Sequence, residues 1–278
     1  MILAEAETEL GGRVLLESKL KGLSSWLRVR DFREQTLLRR SSVSIYRDSK
    51  LSATDILELG YPHVMVATGA HWRRDGVGRS QRKPINIKDH NVQIRNADDI
   101  MRGIMPSDGP IVVYDDEQGY LGGVIADHLS SEYEDVSFVT PASVVSPWTV
   151  YTLEQERIQA ALIHQGVKIS ISRKVVSVHN GQIETACMFG GQTSVMDCST
   201  LILITERFVN NSLVDTLREQ LTPDQKLPGV TVIGDALAPG LIADAVFSGH
   251  LAARDFQRDP QLVEQELYRR EMPSLTHC

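Results

Sequence analysis

The sequence has little cysteine, and its cysteines are widely spaced. The 278 residues include three, Cys187, Cys198 and Cys278, and none lies in a Cys-x-x-Cys pair. This excludes a disulfide framework and argues against a zinc or iron–sulfur site built from this chain alone. We therefore expect reduced thiols, no metal ligands and a cytoplasmic location.

Long apolar runs and an excess of basic residues are also absent. No apolar segment approaches the roughly 20 residues that span a bilayer, and residues 1–7 do not have the pattern of a signal peptide. Acidic residues outnumber basic ones by 36 to 29, which gives a formal net charge of −7. Without a basic tract, this charge disfavours nucleic acids and anionic membranes as partners.

The residue pattern that is present predicts a mixed α/β protein of about two domains, at roughly 150 residues per domain. Strands are predicted at 2–4, 43–46, 63–67, 111–114, 136–139, 168–171, 175–178, 183–186, 201–204 and 230–233, and helices at 32–40, 55–59, 122–130, 153–162 and 242–255. The run from 111 to 139 is a βαβ unit, which requires a parallel sheet. Asn180-Gly181 predicts a hairpin. Residues 73–96 are predicted to be a connecting segment, and the tail from Asp259 a surface segment.

Three short motifs follow predicted strands. Glu5 ends the first strand, and Gly11-Gly12 comes six and seven residues later. A carboxylate there can accept both hydroxyls of a ribose, and paired glycines let backbone amides approach a pyrophosphate. The same residues also describe a solvated turn.

The other two motifs are Ala67-Thr68-Gly69 and Gly234-Asp235-Ala236. Asp235 stands between a strand and a helix, where a carboxylate can accept from a ribityl hydroxyl and the helix N-terminus favours a phosphate. Taken alone, the first motif is also a plain strand end and the second a helix cap.

Together and in this order, the three motifs resemble the flavoprotein disulfide reductase fold with its two dinucleotide domains. Further matching segments are Gly22-Leu23 with Trp26, Arg30-Asp31-Phe32-Arg33, residues 66–72, Thr152-Leu153-Glu154, residues 233–239, residues 242–245 and Gly249-His250. With them, essentially the whole chain resembles the C-terminal, nucleotide-binding half of one group of NADH:flavin oxidoreductases related to old yellow enzyme. That group contains trimethylamine dehydrogenase, histamine dehydrogenase and 2,4-dienoyl-CoA reductase.

The resemblance implies two interleaved Rossmann-like domains of the glutathione-reductase FAD/NAD(P) type. Residues 1–107 plus 225–278 would form an FAD- or ADP-binding domain on one sheet, with Gly234-Asp235 beside Gly11-Gly12. Residues 108–224 would be an inserted NAD(P)-type domain. The first domain would lack its initial strand and glycine-rich turn, and Met1 would fall within its second strand.

The resemblance also implies the cofactors. FAD or ADP would bind weakly or vestigially, because the turn that cradles the pyrophosphate is missing. The residues implied to contact it are Glu5, Gly11, Gly12, Arg13, Thr68, Gly69, Gly234, Asp235 and Ala236. FMN and a 4Fe–4S cluster are expected only on a missing N-terminal barrel, so no catalytic residue is assigned here.

The inserted domain departs from the pattern of a pyridine-nucleotide site. After Val113 the chain reads Tyr114-Asp115-Asp116-Glu117, where glycines would be expected. Each carboxylate repels a pyrophosphate by about 1 kcal/mol or more at close range. We therefore expect no NAD(P)H binding.

Three functions remain open from the sequence. The leading one is the C-terminal portion of a flavin-dependent oxidoreductase that resembles amine dehydrogenases, which oxidatively demethylate or deaminate amines and pass the electrons to a protein acceptor. The expected partner is then a separately encoded FMN barrel or an electron-transfer flavoprotein, and the isolated chain is not expected to be active. The alternatives are a non-catalytic adenine-nucleotide-binding or docking subunit and a non-functional remnant.

Overall fold

A computed structural model describes residues 1–88, 91–220, 229–256 and 258. They form two compact units, one of Met1–Ser52 with Ala70–Phe208, the other of Ala53–Gly69 with the described residues from Val209 onward. The strands are β1 (Ile2–Ala4), β2 (Ser44–Tyr46), β3 (His63–Val66), β4 (Ala70–Trp72), β5 (Asn86–Ile87), β6 (Gln93–Asn96), β7 (Ile111–Asp115), β8 (Val136–Val139), β9 (Lys168–Ser170), β10 (Arg173–His179), β11 (Gln182–Cys187), β12 (Thr193–Asp197), β13 (Thr200–Ile204), β14 (Arg207–Val209) and β15 (Gly229–Val232). The α-helices are α1 (Arg13–Glu17), α2 (Leu27–Leu38), α3 (Ala53–Leu59), α4 (Ala97–Met101), α5 (Tyr120–Ser130), α6 (Gln155–His164), α7 (Ser212–Glu219) and α8 (Ile242–Asp255).

The first unit is built on a parallel sheet with the strand order β6-β13-β7-β8-β9. In its centre, Val113 of β7 lies opposite Ile202 of β13 and Phe138 of β8. Every residue of these three strands is buried, as expected for a parallel sheet covered on both faces. Helix α5 connects β7 to β8, which confirms the predicted βαβ unit.

Apolar cores cover the two faces of this sheet. Val113 belongs to the core that includes Ile125 and Leu129 of α5. Its neighbour Val112 belongs to the other core, together with Val175 of β10. Successive residues of β7 thus supply opposite faces, and each fully buried side chain of this size contributes about 1.5–3 kcal/mol.

The second sheet of this unit has the strand order β12-β11-β10-β5. Its hairpin turns at Asn180 and Gly181, whose φ angles of 51° and 73° lie in the left-handed region. Such a turn twists in the same sense as its flanking strands, so the predicted hairpin is confirmed. Beside the turn, His179 lies opposite Gln182.

The expectation of one sheet over residues 1–107 and 225–278 is wrong for the described residues. Strand β1 pairs in parallel only with β2, and β3 pairs in parallel only with β15, so two separate two-stranded sheets result. The physical reason is that a strand able to pair with both β1 and β3 is absent from the described residues. The resemblance to dinucleotide folds implies such a central strand.

The proposed domain boundaries stay a prediction, but two strands bear on them. β5 and β6 precede residue 108, yet they pair with β10 and β13 inside the proposed insert. Residues 73–96, predicted to be a connecting segment, therefore contain two strands that pair with the sheets of the first unit, and that prediction is wrong for β5 and β6. β5 is only two residues long, and β6, Gln-Ile-Arg-Asn, has a single apolar residue, so neither strand shows an apolar pattern in the sequence.

Other element predictions agree closely with the structure. The last predicted helix, 242–255, has the same bounds as α8. The tail from Asp259 lies outside the described residues, as do 221–228, at the end of the proposed insert and the start of the following segment. In the described residues, none of the helices combines the length and apolar character needed to cross a membrane.

Candidate functional site

Four of the nine predicted cofactor-binding residues lie in the first unit, at the carboxyl end of β1 and the turn after it. The Glu5 backbone N–H donates to the Tyr46 carbonyl at 2.8 Å, and its Oε1 accepts from the backbone N–H of Glu7 at 3.1 Å. Gly11 and Gly12 have φ angles of 124° and 49°. A Cβ on Gly12 would meet no heavy atom within 4 Å, so the backbone is open to approach at Gly12, whereas a Cβ on Gly11 would lie 2.9 Å from Cγ of Arg30.

Arg13, the fourth of these residues, is engaged by the protein itself. Its Nε lies 2.6 Å from Oε1 of Glu17, whose side chain is fully buried. The Tyr120 hydroxyl of α5 donates to the other Glu17 oxygen at 2.7 Å, and the Trp26 ring meets the Tyr120 ring edge-on. Burial, followed by the charge of Glu17, raises the pKa of Tyr120. Arg13 therefore takes part in a network that ties α1 to α5.

The other five predicted residues lie in the second unit, after β3 and β15. These strands are parallel, with Val66 opposite Val232, and the Ile233 N–H donates to the Val66 carbonyl at 2.9 Å. The two motifs therefore leave the same edge of the pair, Thr68 and Gly69 after β3, and Gly234, Asp235 and Ala236 after β15. Ligands of open α/β sheets bind at such carboxyl edges.

Internal hydrogen bonds fix both loops at this edge. The Thr68 hydroxyl donates to the Asn210 carbonyl at 2.7 Å, and the Asn210 N–H donates to the Gly69 carbonyl at 2.9 Å. Asp235 accepts from the Gly240 N–H at 3.0 Å. Asn210 belongs to no motif, so sequence reasoning missed it. The assignment of these nine residues to cofactor binding stays a prediction.

The acidic run Asp115-Asp116-Glu117, which begins at the last residue of β7, forms a third arrangement within the first unit. Asp115 accepts from the Gln118 N–H at 2.8 Å, and Glu117 accepts from the Gly119 N–H at 2.8 Å. Asp116 accepts from the Ser80 N–H at 2.9 Å. The three carboxylates thus bind backbone amides of their own chain.

The pKa of each of these carboxyls is raised, and burial is the largest cause in all three. The charge of Glu117 adds to the upward shift for the fully buried Asp115. For Glu117, the Gly119 N–H and the charges of Arg79 and Arg13 oppose it. Amide hydrogen bonds also stabilise ionised Asp116.

No group of three or more His, Cys, Asp or Glu side chains that could hold a metal ion occurs in the part of the chain that the structure describes. At the strand edges, the predicted cofactor-binding residues carry backbone amides, the Thr68 hydroxyl and the carboxylates of Glu5 and Asp235. Such groups suit hydrogen bonding to a nucleotide.

Comparison with known proteins finds similarity to amine-oxidising enzymes. The chain is 28% identical over 297 aligned positions to dimethylamine dehydrogenase from Hyphomicrobium sp. (strain x), covering 97% of this chain and 40% of that protein. Histamine dehydrogenase from Rhizobium sp. 4-9 is 41% identical with a TM-score of 0.89, over 93% of this chain and 40% of that one. 6-Hydroxypseudooxynicotine amine oxidase from Pseudomonas geniculata N1 is 33% identical with a TM-score of 0.86, and the match covers 92% of this chain and 38% of that one. The chain thus spans about 40% of the length of these relatives.

More distant structures show the fold alone. Thioredoxin reductase from T. acidophilum is 12% identical with a TM-score of 0.55, and the match covers 90% of this chain and 87% of that one. This agrees with the predicted Rossmann-like α/β class. No family model matches the sequence.

Proposed function

Because the chain is homologous to the dimethylamine and histamine dehydrogenase family and similar to the C-terminal part of its members, we propose that it is the nucleotide-binding portion of a flavin-dependent amine-oxidising oxidoreductase. The observation that carries the proposal is the TM-score of 0.89 at 41% identity to histamine dehydrogenase, over 93% of this chain. The remaining 60% of that relative has no counterpart here, and in the proposal it corresponds to the part that oxidises the amine.

In this proposal the chain itself holds FAD or ADP. The described residues fit the ribose end of such a nucleotide, because Glu5 directly follows β1 and carries a carboxylate that can accept from ribose hydroxyls. They fit the pyrophosphate less well, because α1 has only five residues and Arg13 is paired with Glu17. Bound FAD would supply a redox centre, whereas bound ADP would be a structural ligand. We therefore propose weak or vestigial binding.

Calorimetry with ADP and FAD on the 278-residue chain tests the nucleotide proposal. We expect no saturable binding at micromolar concentration, and Glu5→Gln should abolish any weaker binding. Glu7→Gln is the matched control, because Glu7 contributes its backbone N–H to Glu5 and that group survives the substitution. Micromolar ADP binding by the unmodified chain would contradict the vestigial site and favour a self-standing nucleotide-binding subunit.

The partner proposed for this chain is an FMN-containing barrel portion, with an electron-transfer flavoprotein as the acceptor. Co-expression with the unmatched portion of histamine dehydrogenase should yield a complex that reduces an acceptor dye when an amine is added, while the isolated chain should not. Amine oxidation by the isolated chain would refute this proposal. Failure of the two parts to associate would refute the partnership.

A docking role is the second candidate, and a specific surface favours it. No side chain of α8 in the described structure is buried, and Phe247 and Leu251 are 66% and 46% exposed. Apolar side chains exposed on one helix are typical of an interaction surface. If the co-expressed complex forms without amine-dependent activity, this candidate is favoured over the catalytic one.

A further inference from the structure

An apolar segment of the first unit is exposed between β8 and α6. Pro147–Thr152 forms a short 3₁₀ helix, and one further residue follows before the turn into α6. Four apolar side chains of this segment are exposed: Trp148, Val150, Tyr151 and Leu153. The rings of Trp148 and Tyr151 stack with their centres 6.0 Å apart. Because apolar groups left in water add little to folding, these side chains contribute little to the core.

The backbone at both ends of this segment adopts a costly conformation. Ser146 and Leu153 have φ angles of 49° and 61°, in the left-handed region that favours glycine. Leu153 gains little burial in return, since it is 91% exposed. Residues held in such conformations are concentrated at functional sites. Strain together with exposure therefore indicates a surface shaped for contact with another molecule.

A basic loop, residues 79–83, lies beside the apolar segment. The Arg79 guanidinium lies 5.0 Å from the centre of the Trp148 ring, which is a cation–π contact. Gln118 links the two, because its carbonyl accepts from the Trp148 N–H at 3.2 Å and its side-chain amide donates to the Ser80 hydroxyl at 3.4 Å. The loop and residues 147–153 therefore form one surface, which we call the aromatic–basic surface.

A buried carboxylate fixes the basic loop in place. Asp116 is fully buried, and its Oδ2 accepts from the backbone N–H groups of Ser80 and Gln81 at 2.9 and 3.2 Å. Three cationic side chains of the loop are exposed, and none of them makes an ion pair with the rest of the described structure: Arg79, Arg82 and Lys83. The loop thus presents unpaired positive charge, although the whole chain has a net charge of −7.

Charge and side-chain chemistry favour an acidic protein segment as the occupant. Tryptophan, tyrosine and arginine dominate the binding energy of protein interfaces, and unpaired cations complement carboxylates. A single-stranded nucleic acid fits less well, because Val150 and Leu153 offer no ring on which a base could stack. The net charge of −7 also opposes the approach of a polyanion or an anionic membrane.

We propose that the aromatic–basic surface is a docking site for an acidic segment of a partner protein. Apolar side chains of that segment would pack on Trp148, Tyr151 and Leu153, while its carboxylates pair with the basic loop. This surface belongs to the first unit, whereas the exposed side chains of α8 belong to the second. The inference does not rest on the proposed function, because it uses only contacts within the first unit.

Binding of a fluorescently labelled peptide to the full chain, measured by anisotropy, tests the proposal. The peptide consists of glutamates with a leucine at every third position, so it carries both charge and apolar anchors. We expect saturable binding, and Tyr151→Ala or Leu153→Ala should weaken it at least about tenfold, as loss of a central interface residue does. Arg82→Glu combined with Lys83→Glu should weaken it to a similar extent. A peptide with lysine in place of glutamate should not bind.

Phe189→Ala and Lys50→Glu are the matched controls, because they remove an exposed ring and an exposed cation elsewhere in the same unit. Both should leave the affinity unchanged. Circular dichroism establishes that each variant is folded, and if one of the two alanine variants of the surface is not, the other decides.

Several results would overturn the proposal. One is no binding of the glutamate–leucine peptide, and another is an equal loss of affinity in the controls. Tighter binding of a single-stranded oligonucleotide, or of vesicles that contain phosphatidylserine, would assign the surface to a different partner. Self-association of the chain that Leu153→Ala abolishes, measured by analytical ultracentrifugation, would assign it to a second copy.

Discussion

Substitution of Asp115 by asparagine should make the first unit more stable, by an amount that grows with pH. Burial, followed by the charge of Glu117, raises the pKa of Asp115 well above its ordinary value. Asparagine has nearly the same shape and keeps an oxygen that can accept from the Gln118 N–H, the hydrogen bond that Asp115 makes at 2.8 Å. The substitution replaces the titratable carboxyl by an amide, which has no proton to lose as the pH rises.

The sign and size follow from proton linkage. A carboxyl whose folded-state pKa is raised binds more protons in the folded than in the unfolded protein. Its contribution to the free energy of unfolding is therefore fully present below the unfolded pKa of about 3.9 and is lost as the pH rises. Between that value and the folded-state pKa of Asp115, the loss is about 1.4 kcal/mol per pH unit. The asparagine variant lacks this loss. The free energy of unfolding of this variant, relative to that of the unmodified protein, should therefore grow by about 1.4 kcal/mol per pH unit and level off above the folded-state pKa of Asp115.

Urea unfolding followed by tryptophan fluorescence, at pH values from about 4 to 8, measures this difference. Trp26, Trp72 and Trp148 are the only tryptophans, and all three lie in the first unit. The signal therefore reports the unit that contains Asp115.

Asp108→Asn is the matched control, because Asp108 is exposed in the same unit. It should change stability by the same small amount, within about 0.5 kcal/mol, at every pH. Parallel stability profiles for Asp115→Asn and the unmodified protein would refute the reasoning. They would mean that Asp115 is ionised at no extra cost in the folded state.

Three further outcomes are expected. Tyr120→Phe should cost about 1–3 kcal/mol in urea unfolding, because it removes a hydrogen bond to the fully buried Glu17. Gly122→Ala should lower the free energy of unfolding by about 1–3 kcal/mol, because the new methyl group would overlap the Asp115 carboxyl; an unchanged midpoint would contradict that packing. Thermal unfolding followed by circular dichroism should show a transition of the second unit at a lower temperature, because its helix α8 has no buried side chain. Tryptophan fluorescence should not report this transition, since all three tryptophans lie in the first unit. Coincident curves from the two methods would contradict separate unfolding of the two units.

The sequence predicted those parts of the fold whose signals are local. The apolar run of β7 and the Asn180-Gly181 turn each specify their structure within a few residues, and both are confirmed. Strands β5 and β6 were missed because their structure comes from pairing with β10 and β13, about 90 to 110 residues further along the chain. No short-range pattern contains that information.

The candidate site was less accessible to sequence reasoning. The motif positions were found, but the partners that hold them were not: Asn210 contacts Thr68 across 142 residues. The Arg13–Glu17 pair had a local signal, the i,i+4 spacing of opposite charges on a helix. The acidic run was interpreted only as a source of repulsion, because backbone amides that bind it, such as that of Ser80, follow from the tertiary fold.

The strand order of the parallel sheet has a consequence for synthesis of the protein. β13 lies between β6 and β7, although it follows β7 by 85 residues in the chain. On the ribosome, β6 and β7 are therefore made long before β13, the strand that joins them, and the backbone hydrogen-bonding groups on the edges that face β13 stay unpaired until then. Such long-range pairing slows folding and exposes strand edges to other chains. We expect nascent chains that end before residue 200 to engage chaperones, and release from them to coincide with the emergence of β13.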